Sequence, residues 1–244
     1  LFIKNSSNGI VPWDSIGTVI EYVALDGNWS NTNNHGDPIN AYFSVLDLTV
    51  RYSKFRNVEG TAVIPIASWN NSRHNPRVFI YGNVFWDFNT GDGVIGYAGS
   101  TQSAGDCSNS EIYNNTIVGG SGFSSGIACP QGSGNTIRNN LWIGNNTDSD
   151  IRVGSGATIT HNGFSTASGD GTNAQVNIPT SIFRNYAARD LTLALDTAGG
   201  FPLGIPYNAD LLQTVRLPGA WSRGAYQFGS GGLAPSPPTS LTIQ

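Results

Sequence analysis

The 244-residue sequence contains no methionine, only two cysteines and only 11% charged residues, of which just two are lysines. So few long charged side chains, together with 31 glycines and many Asn, Ser and Thr residues, disfavour helices and favour short strands joined by tight bends. No apolar run approaches the roughly 18 residues of a membrane-spanning helix. A formal net charge of −4 without a basic stripe argues against a nucleic-acid partner.

The two cysteines, Cys107 and Cys129, do not belong to a Cys-x-x-Cys pair, which argues against a zinc site. The sequence leaves open whether they form one disulfide or remain two free thiols. The chain begins with Leu1 and shows no signal peptide, so we expect a mature or excised part of a longer protein.

Five segments repeat one pattern: an aliphatic residue, a polar bend residue three positions later, and a large apolar residue two positions after the bend. The bend residues are Ser53, Asn83, Asn115, Asn140 and Asn162, and their successive separations are 30, 32, 25 and 22 residues. A propeller or a leucine-rich repeat would keep a more constant period, whereas a β-helix absorbs insertions in its loops. A second apolar strand recurs ahead of the later repeats, at 61–64, 94–97, 127–129 and 151–153.

The repeat therefore predicts an all-β fold, a parallel β-helix with three short strands per coil, stacked about 4.8 Å apart. Two interior columns are expected, and their members are Val50, Ile80, Ile112, Ile137 and Ile159, and Phe55, Phe85, Ile117, Trp142 and Phe164. The bend residues should form a ladder of hydrogen-bonded amides. We also expect them to have left-handed backbone, which Asn tolerates better than most residues.

The Ile-x-Asn-Asn-x-Ile pattern of residues 112–117, with an Asn ladder between two strands, resembles the pectate-lyase-like superfamily of right-handed parallel β-helix proteins. The resemblance extends over roughly residues 45–165 and implies the fold. It implies no single activity, because the superfamily contains lyases, hydrolases, esterases, phage spikes and proteins without a known reaction.

Residues 180–228 lose the repeat and resemble the C-terminal end of secreted bacterial β-helix proteins. This segment should cover the last coil, which would otherwise expose unpaired strand edges. We therefore expect a β-helix domain at 1–228, followed by a Gly/Ser/Pro-rich linker and the start of a further domain at 229–244. The linker and the start of a following domain suggest a modular extracellular parent, so we expect a secreted or cell-surface protein with further domains of the same parent chain as partners.

The second strands are predicted to present an outward column of phenols and guanidiniums: Arg51, Tyr81, Tyr113 and Arg138. Such a column suits sugar rings and uronate carboxylates, so we expect it to bind polysaccharide, including acidic polysaccharide. A ladder that packs only on itself and stabilises the stack is an equal alternative. Loop and first-strand residues Trp69, Arg73 and Arg152 are further candidate ligands of the polysaccharide.

Glu59 and Asp92 are predicted to occupy matching positions of adjacent coils, about 5 Å apart. The resemblance to pectate-lyase-like enzymes implies that such a pair could hold Ca²⁺ together with loop carbonyls and water. The alternative for Asp92 is that it caps a bend ahead of a strand.

The first strands are expected to point Ala62, Ile95, Ala128 and Arg152 outward. None of these residues has a carboxylate, so this face does not offer the carboxylate pair that glycoside hydrolysis requires. Two functions are therefore expected. The first is a non-catalytic extracellular module that binds polysaccharide or builds a surface structure. The alternative, favoured by the fold resemblance, is a polysaccharide lyase or glycoside hydrolase, for which no catalytic residues are assigned.

Overall fold

A computed structural model describes residues 1–4, 9–27, 36–41, 45–60, 62–66, 77–90, 93–97, 107–119, 126–130, 132–144, 151–197, 199–219 and 221–229. These residues form nineteen strands and one 3-10 helix, Thr180–Ile182. The strands are β1 (Phe2–Lys4), β2 (Val19–Glu21), β3 (Ala24–Asp26), β4 (Leu48–Arg51), β5 (Lys54–Gly60), β6 (Ile64–Ile66), β7 (Val78–Tyr81), β8 (Val84–Thr90), β9 (Ile95–Tyr97), β10 (Glu111–Tyr113), β11 (Thr116–Val118), β12 (Ile127–Cys129), β13 (Thr136–Arg138), β14 (Leu141–Ile143), β15 (Ile151–Val153), β16 (Thr158–Thr160), β17 (Gly163–Phe164), β18 (Phe183–Asn185) and β19 (Asp190–Leu193).

Three parallel sheets contain the first seventeen strands. Sheet 1 consists of β6, β9, β12 and β15, sheet 2 of β2, β4, β7, β10, β13 and β16, and sheet 3 of β1, β3, β5, β8, β11, β14 and β17. From β6 onwards the chain visits the sheets in the order 1, 2, 3, and each such pass forms one coil. The protein is therefore all-β, and its stacked parallel sheets are consistent with the parallel β-helix that the sequence predicts.

Both predicted interior columns are confirmed by the strand registers. Val50, Ile80, Ile112, Ile137 and Ile159 lie side by side in sheet 2, and Phe55, Phe85, Ile117, Trp142 and Phe164 do so in sheet 3. The rings of Phe55 and Phe85 stack with centroids 5.0 Å apart, and those of Trp142 and Phe164 stack at 5.2 Å. Because identical strand positions stack directly, each coil extends the same apolar core.

Sheet 1 contributes a third inward column, in which Ile64, Ile95, Ile127 and Ile151 are paired in register. Ala62 and Ile95 are completely buried, so the prediction that they point outward is wrong. Alternation along the strands instead places Pro65, Gly96, Ala128 and Arg152 on the other face.

The side chains of Asn83, Asn115, Asn140 and Asn162 form the predicted amide ladder. The backbone N–H of each of the first three donates to the side-chain oxygen of the Asn in the next coil, at 3.0 Å from Asn83 and Asn115 and 2.9 Å from Asn140. Each side-chain amide nitrogen also donates to a strand carbonyl of the preceding coil, as Asn115 does to Ile80 at 2.9 Å. The ladder thus satisfies backbone groups that a buried corner would leave unpaired.

The left-handed corner residue is not the ladder residue but the one before it. Positive φ values occur at Tyr52, Gly82, Asn114, Asn139 and His161, which we call the corner column. The prediction that the ladder residues have left-handed backbone is therefore wrong. The ladder selects Asn for its amide hydrogen bonds, whereas the corner column tolerates several residue types.

Cys107 and Cys129 form a disulfide, which settles the alternative that the sequence leaves open. Cys129 ends β12, and Cys107 precedes β10 in the coil before it. Both cysteines are buried in the apolar core. The bond therefore links one coil covalently to the next.

Among the residues that the structure describes, three ion pairs connect neighbouring coils near the N-terminus, and each joins an arginine to an acid 30 residues earlier. They are Arg51–Glu21 at 2.6 Å, Arg56–Asp26 at 2.6 Å and Arg77–Asp47 at 2.8 Å. The hydrogen bond from Arg56 lowers the pKa of Asp26. Partly exposed pairs of this kind contribute only roughly 0–1 kcal/mol each.

The C-terminal segment, residues 180–228, packs along the outside of sheets 2 and 3 and forms a second apolar core there. Its apolar residues Ile182, Phe183, Leu191, Leu193 and Tyr226 cluster with outward strand residues such as Val84, Val118, Leu141 and Ile143. Arg189 pairs with Asp87 of β8. The last coil itself is paired by residues just ahead of this segment, because Thr172 and Gln175 bridge to Thr160 and Gly163.

Inside the C-terminal segment, two buried charged residues are hydrogen-bonded to backbone groups. Arg216 donates to the carbonyls of Ser222 and Gly224 at 2.6 and 2.7 Å, and burial lowers its pKa to about 10. The carboxylate of Asp210 accepts the N–H groups of Leu212, Thr214 and Gln227. These bonds give the segment a defined conformation without further repeat structure.

Candidate functional site

The outer face of sheet 2 carries two rows of side chains, each in register along six strands. The first, called the covered row, consists of Glu21, Arg51, Tyr81, Tyr113, Arg138 and Thr160. The second, called the open row, consists of Val19, Thr49, Phe79, Glu111, Thr136 and Thr158. The covered row contains the four residues that the sequence predicts as a polysaccharide-binding column.

The tyrosines of the covered row lie beneath the C-terminal segment. Tyr81 and Tyr113 are only 2% and 5% exposed, and the ring of Tyr207 contacts both edge-on with centroids 4.8 Å apart. Burial raises the pKa of Tyr113 to about 12. The prediction that these phenols are open to water is therefore wrong, because a segment about 90 residues further along the chain packs on them.

The two arginines of the covered row are also engaged by protein groups. Arg51 donates to the carboxylate of Glu21 at 2.6 Å and to the hydroxyl of Tyr81 at 2.9 Å. The guanidinium carbon of Arg138 lies 4.6 Å from the ring centroid of Phe201. Both side chains remain partly exposed, so they border the open row as cationic edges rather than forming a stacking platform.

No member of the open row is buried, and Val19 is 52% exposed. Five strand spacings of about 4.8 Å give the row a length of about 24 Å. It combines one partly exposed aromatic ring at Phe79, three threonine hydroxyls and the carboxylate of Glu111. The guanidinium of Arg77 covers one face of Phe79 at 4.9 Å.

Glu111 anchors the C-terminal segment to the edge of the open row, since it accepts the hydroxyl of Tyr207. Burial raises the pKa of Tyr207, and the neighbouring carboxylate raises it further. This contact places a polar boundary between the open row and the covered tyrosines. Chemically, the open row offers hydroxyl, carboxylate and aromatic groups in a straight line.

Of the predicted calcium pair, the structure describes Glu59 alone, which lies on β5 beside Asn89 of β8. Asp92 itself lies outside the described residues. In the part of the chain that the structure describes, no three His, Cys, Asp or Glu side chains come together as a metal site would require.

The structure describes one of the remaining predicted ligands, Arg152, and this residue does not belong to the open row. Trp69 and Arg73 lie outside the described residues. Arg152 is exposed on β15 in sheet 1, next to Ala128 of β12. Sequence reasoning missed the open row, although the same alternation that assigns the interior columns assigns it.

No protein-family model matches the chain, and no curated protein is significantly similar to it. Among the described residues, no helix has both the length and the apolar character needed to cross a lipid bilayer.

Proposed function

We propose that the protein is a non-catalytic extracellular module of the right-handed, pectate-lyase-like β-helix type that binds polysaccharide along the open row. The observation that carries this proposal is the straight, solvent-accessible register of Val19, Thr49, Phe79, Glu111, Thr136 and Thr158. Because the open row presents one side chain per coil in a line, it suits a linear polymer that places one sugar on each coil.

The chemistry of the open row fits a hydroxyl-rich ligand. Phe79 supplies an aromatic surface for the apolar face of a sugar ring. Thr49 beside it, and Thr136 beyond Glu111 on the other side, can donate and accept hydrogen bonds. Arg51, Arg77 and Arg138 along its edges favour uronate carboxylates. Glu21 and Asp47 already pair with two of these arginines, so the charged share of the affinity should be small and should fall with salt.

The disulfide supports the extracellular part of the proposal. Structural disulfides persist in oxidising compartments and are rare in reducing ones. The Cys107–Cys129 bond is buried, so it is protected from exchange with external thiols.

The binding surface is tested by replacing Phe79 with Ala. We expect affinity for a bound polysaccharide to fall about tenfold, which corresponds to about 1.4 kcal/mol for one partly exposed aromatic contact. Binding is measured first on a panel of neutral and uronate polysaccharides at low and high salt, and then by calorimetry on the tightest ligand.

Phe2→Ala is the matched control, since Phe2 is 61% exposed on sheet 3, away from the open row. Thr136→Val is a second variant that removes a hydroxyl with little change in volume. Equal affinities of wild type, Phe79→Ala and Thr136→Val would contradict the proposed surface. Formation of unsaturated or hydrolysed products from any polymer of the panel would replace the proposal with the enzymatic alternative.

A further inference from the structure

The last residue of the corner column, His161, sits where the coils meet the C-terminal segment. Its ring nitrogens contact the hydroxyl of Thr160 at 2.7 Å and the side-chain amide of Asn173 at 3.4 Å. The ring also packs against Phe201 with centroids 5.3 Å apart. A titratable ring therefore forms part of the contact surface that receives the C-terminal segment.

Phe201 is held at this corner by a reciprocal pair of hydrogen bonds. Its N–H donates to the side-chain oxygen of Asn139 at 2.7 Å, and its carbonyl accepts the side-chain amide of Asn139 at 2.7 Å. Arg223 of the same segment donates to the carbonyl of His161 at 2.7 Å. Phe201 and Arg223 thus hydrogen-bond to Asn139 and His161, which are neighbours in the corner column on adjacent coils.

The charges that face this corner are mostly positive. Arg138 lies over Phe201, and Arg223 bonds to the His161 backbone. The carboxylate of Asp196 attracts Arg223 and accepts the hydroxyl of Ser222. A proton on His161 would add a third cation beside the two arginines. Accordingly, burial lowers the pKa of His161, and Arg223 and Arg138 lower it further.

We propose that the contact of His161 with Phe201 is an acid-sensitive latch, which holds the C-terminal segment against the coils at neutral pH and loosens on acidification. When the latch opens, His161 regains water and an ordinary pKa near 6.5, so the open form takes up protons more readily. Neutral His161 therefore stabilises the closed form fully at pH values above the ordinary pKa of the open form. This stabilisation is lost as the pH falls through the lower pKa of the closed form.

The latch is tested by amide hydrogen exchange on the full chain between neutral and mildly acidic pH, with rates corrected for intrinsic exchange. The reporting amides are those of Phe201 and Arg223, and the reference amides are those of Asn83 and Asn115 in the ladder. We expect a several-fold loss of protection at the reporting amides of wild type on acidification, with no loss at the reference amides.

His161→Asn is the matched variant, because Asn already occupies the corner column at Asn114 and Asn139 with the same left-handed backbone. Its reporting amides should show no acid-induced loss of protection. Asp196→Asn should respond to pH as wild type does. If the His161→Asn variant loses protection at the reference amides, its coils are not folded and a second measurement replaces it. The pKa of the His161 imidazole is then measured by NMR in wild type, and it must coincide with the midpoint at which the reporting amides lose protection.

Three results would overturn the proposal. One is protection at Phe201 that does not change with pH in wild type. Another is a wild-type pH response in a folded His161→Asn variant. The third is a response that Asp196→Asn abolishes, which would make the carboxylate the sensor.

Discussion

Removal of the Cys107–Cys129 disulfide should lower the free energy of unfolding by about 3 kcal/mol. The bond closes a loop with a sequence separation of 22 residues, and the chain-entropy model assigns such a loop about 3 kcal/mol through the restricted unfolded state. Because both sulfurs are buried, the double variant Cys107→Ala/Cys129→Ala avoids placing new hydroxyls in the core. Urea unfolding of wild type and variant measures the difference.

The same experiment in the presence of a reductant provides the control. Wild type should lose stability when the bond is reduced, whereas the double alanine variant should not respond. Equal unfolding midpoints for oxidised wild type, reduced wild type and the variant would show that the bond does not stabilise the coils.

Replacing Asn115 with Leu should cost about 1–3 kcal/mol of stability, because it leaves buried backbone and side-chain groups without partners. Asn115 accepts the N–H of Asn83 at 3.0 Å and donates to the carbonyl of Ile80 and the side chain of Asn140, each at 2.9 Å. The leucine has a similar size but cannot make any of these bonds. Thermal and urea unfolding, with circular dichroism as the signal, give the magnitude.

Ser53 supplies a natural control, since it occupies the same ladder position in an earlier coil and its hydroxyl accepts the N–H of Val23 at 3.2 Å. Asn115→Ser should therefore cost less than Asn115→Leu, because the serine keeps an acceptor for the N–H of Asn83. Equal stabilities of the leucine and serine variants would mean that packing, rather than the amide hydrogen bonds, determines the ladder.

The interior of the coils could be predicted because it depends on local alternation and on the repeat. Ile80, Ile112 and Ile137 recur at the same position of successive coils, and parallel pairing at that register follows from burying them together. The amide ladder could be predicted for the same reason, because its Asn residues also recur at one position of the repeat. The left-handed corner could not be located, since the corner column mixes Tyr, Gly, Asn and His and has no residue pattern of its own.

The covering of Tyr81 and Tyr113 could not be predicted, because it depends on contacts between residues about 90 to 130 positions apart. The C-terminal segment that provides Tyr207 has no repeat, and its buried Arg216 and Asp210 look like surface charges in the sequence. Only the fold shows that backbone carbonyls and N–H groups pair with them. The neighbour of Glu59 in the adjacent coil could not be read from sequence spacing either, and the strand register shows it to be Asn89.

The central claim, that the open row binds a linear polymer, is tested most directly by the dependence of affinity on ligand length. Oligosaccharides of the polymer selected by the panel are titrated in order of size. Affinity should rise with each added sugar until the ligand spans the row of about 24 Å, and then level off. Affinity that is already maximal for a disaccharide, or that keeps rising well beyond this length, would contradict the open row as the binding surface.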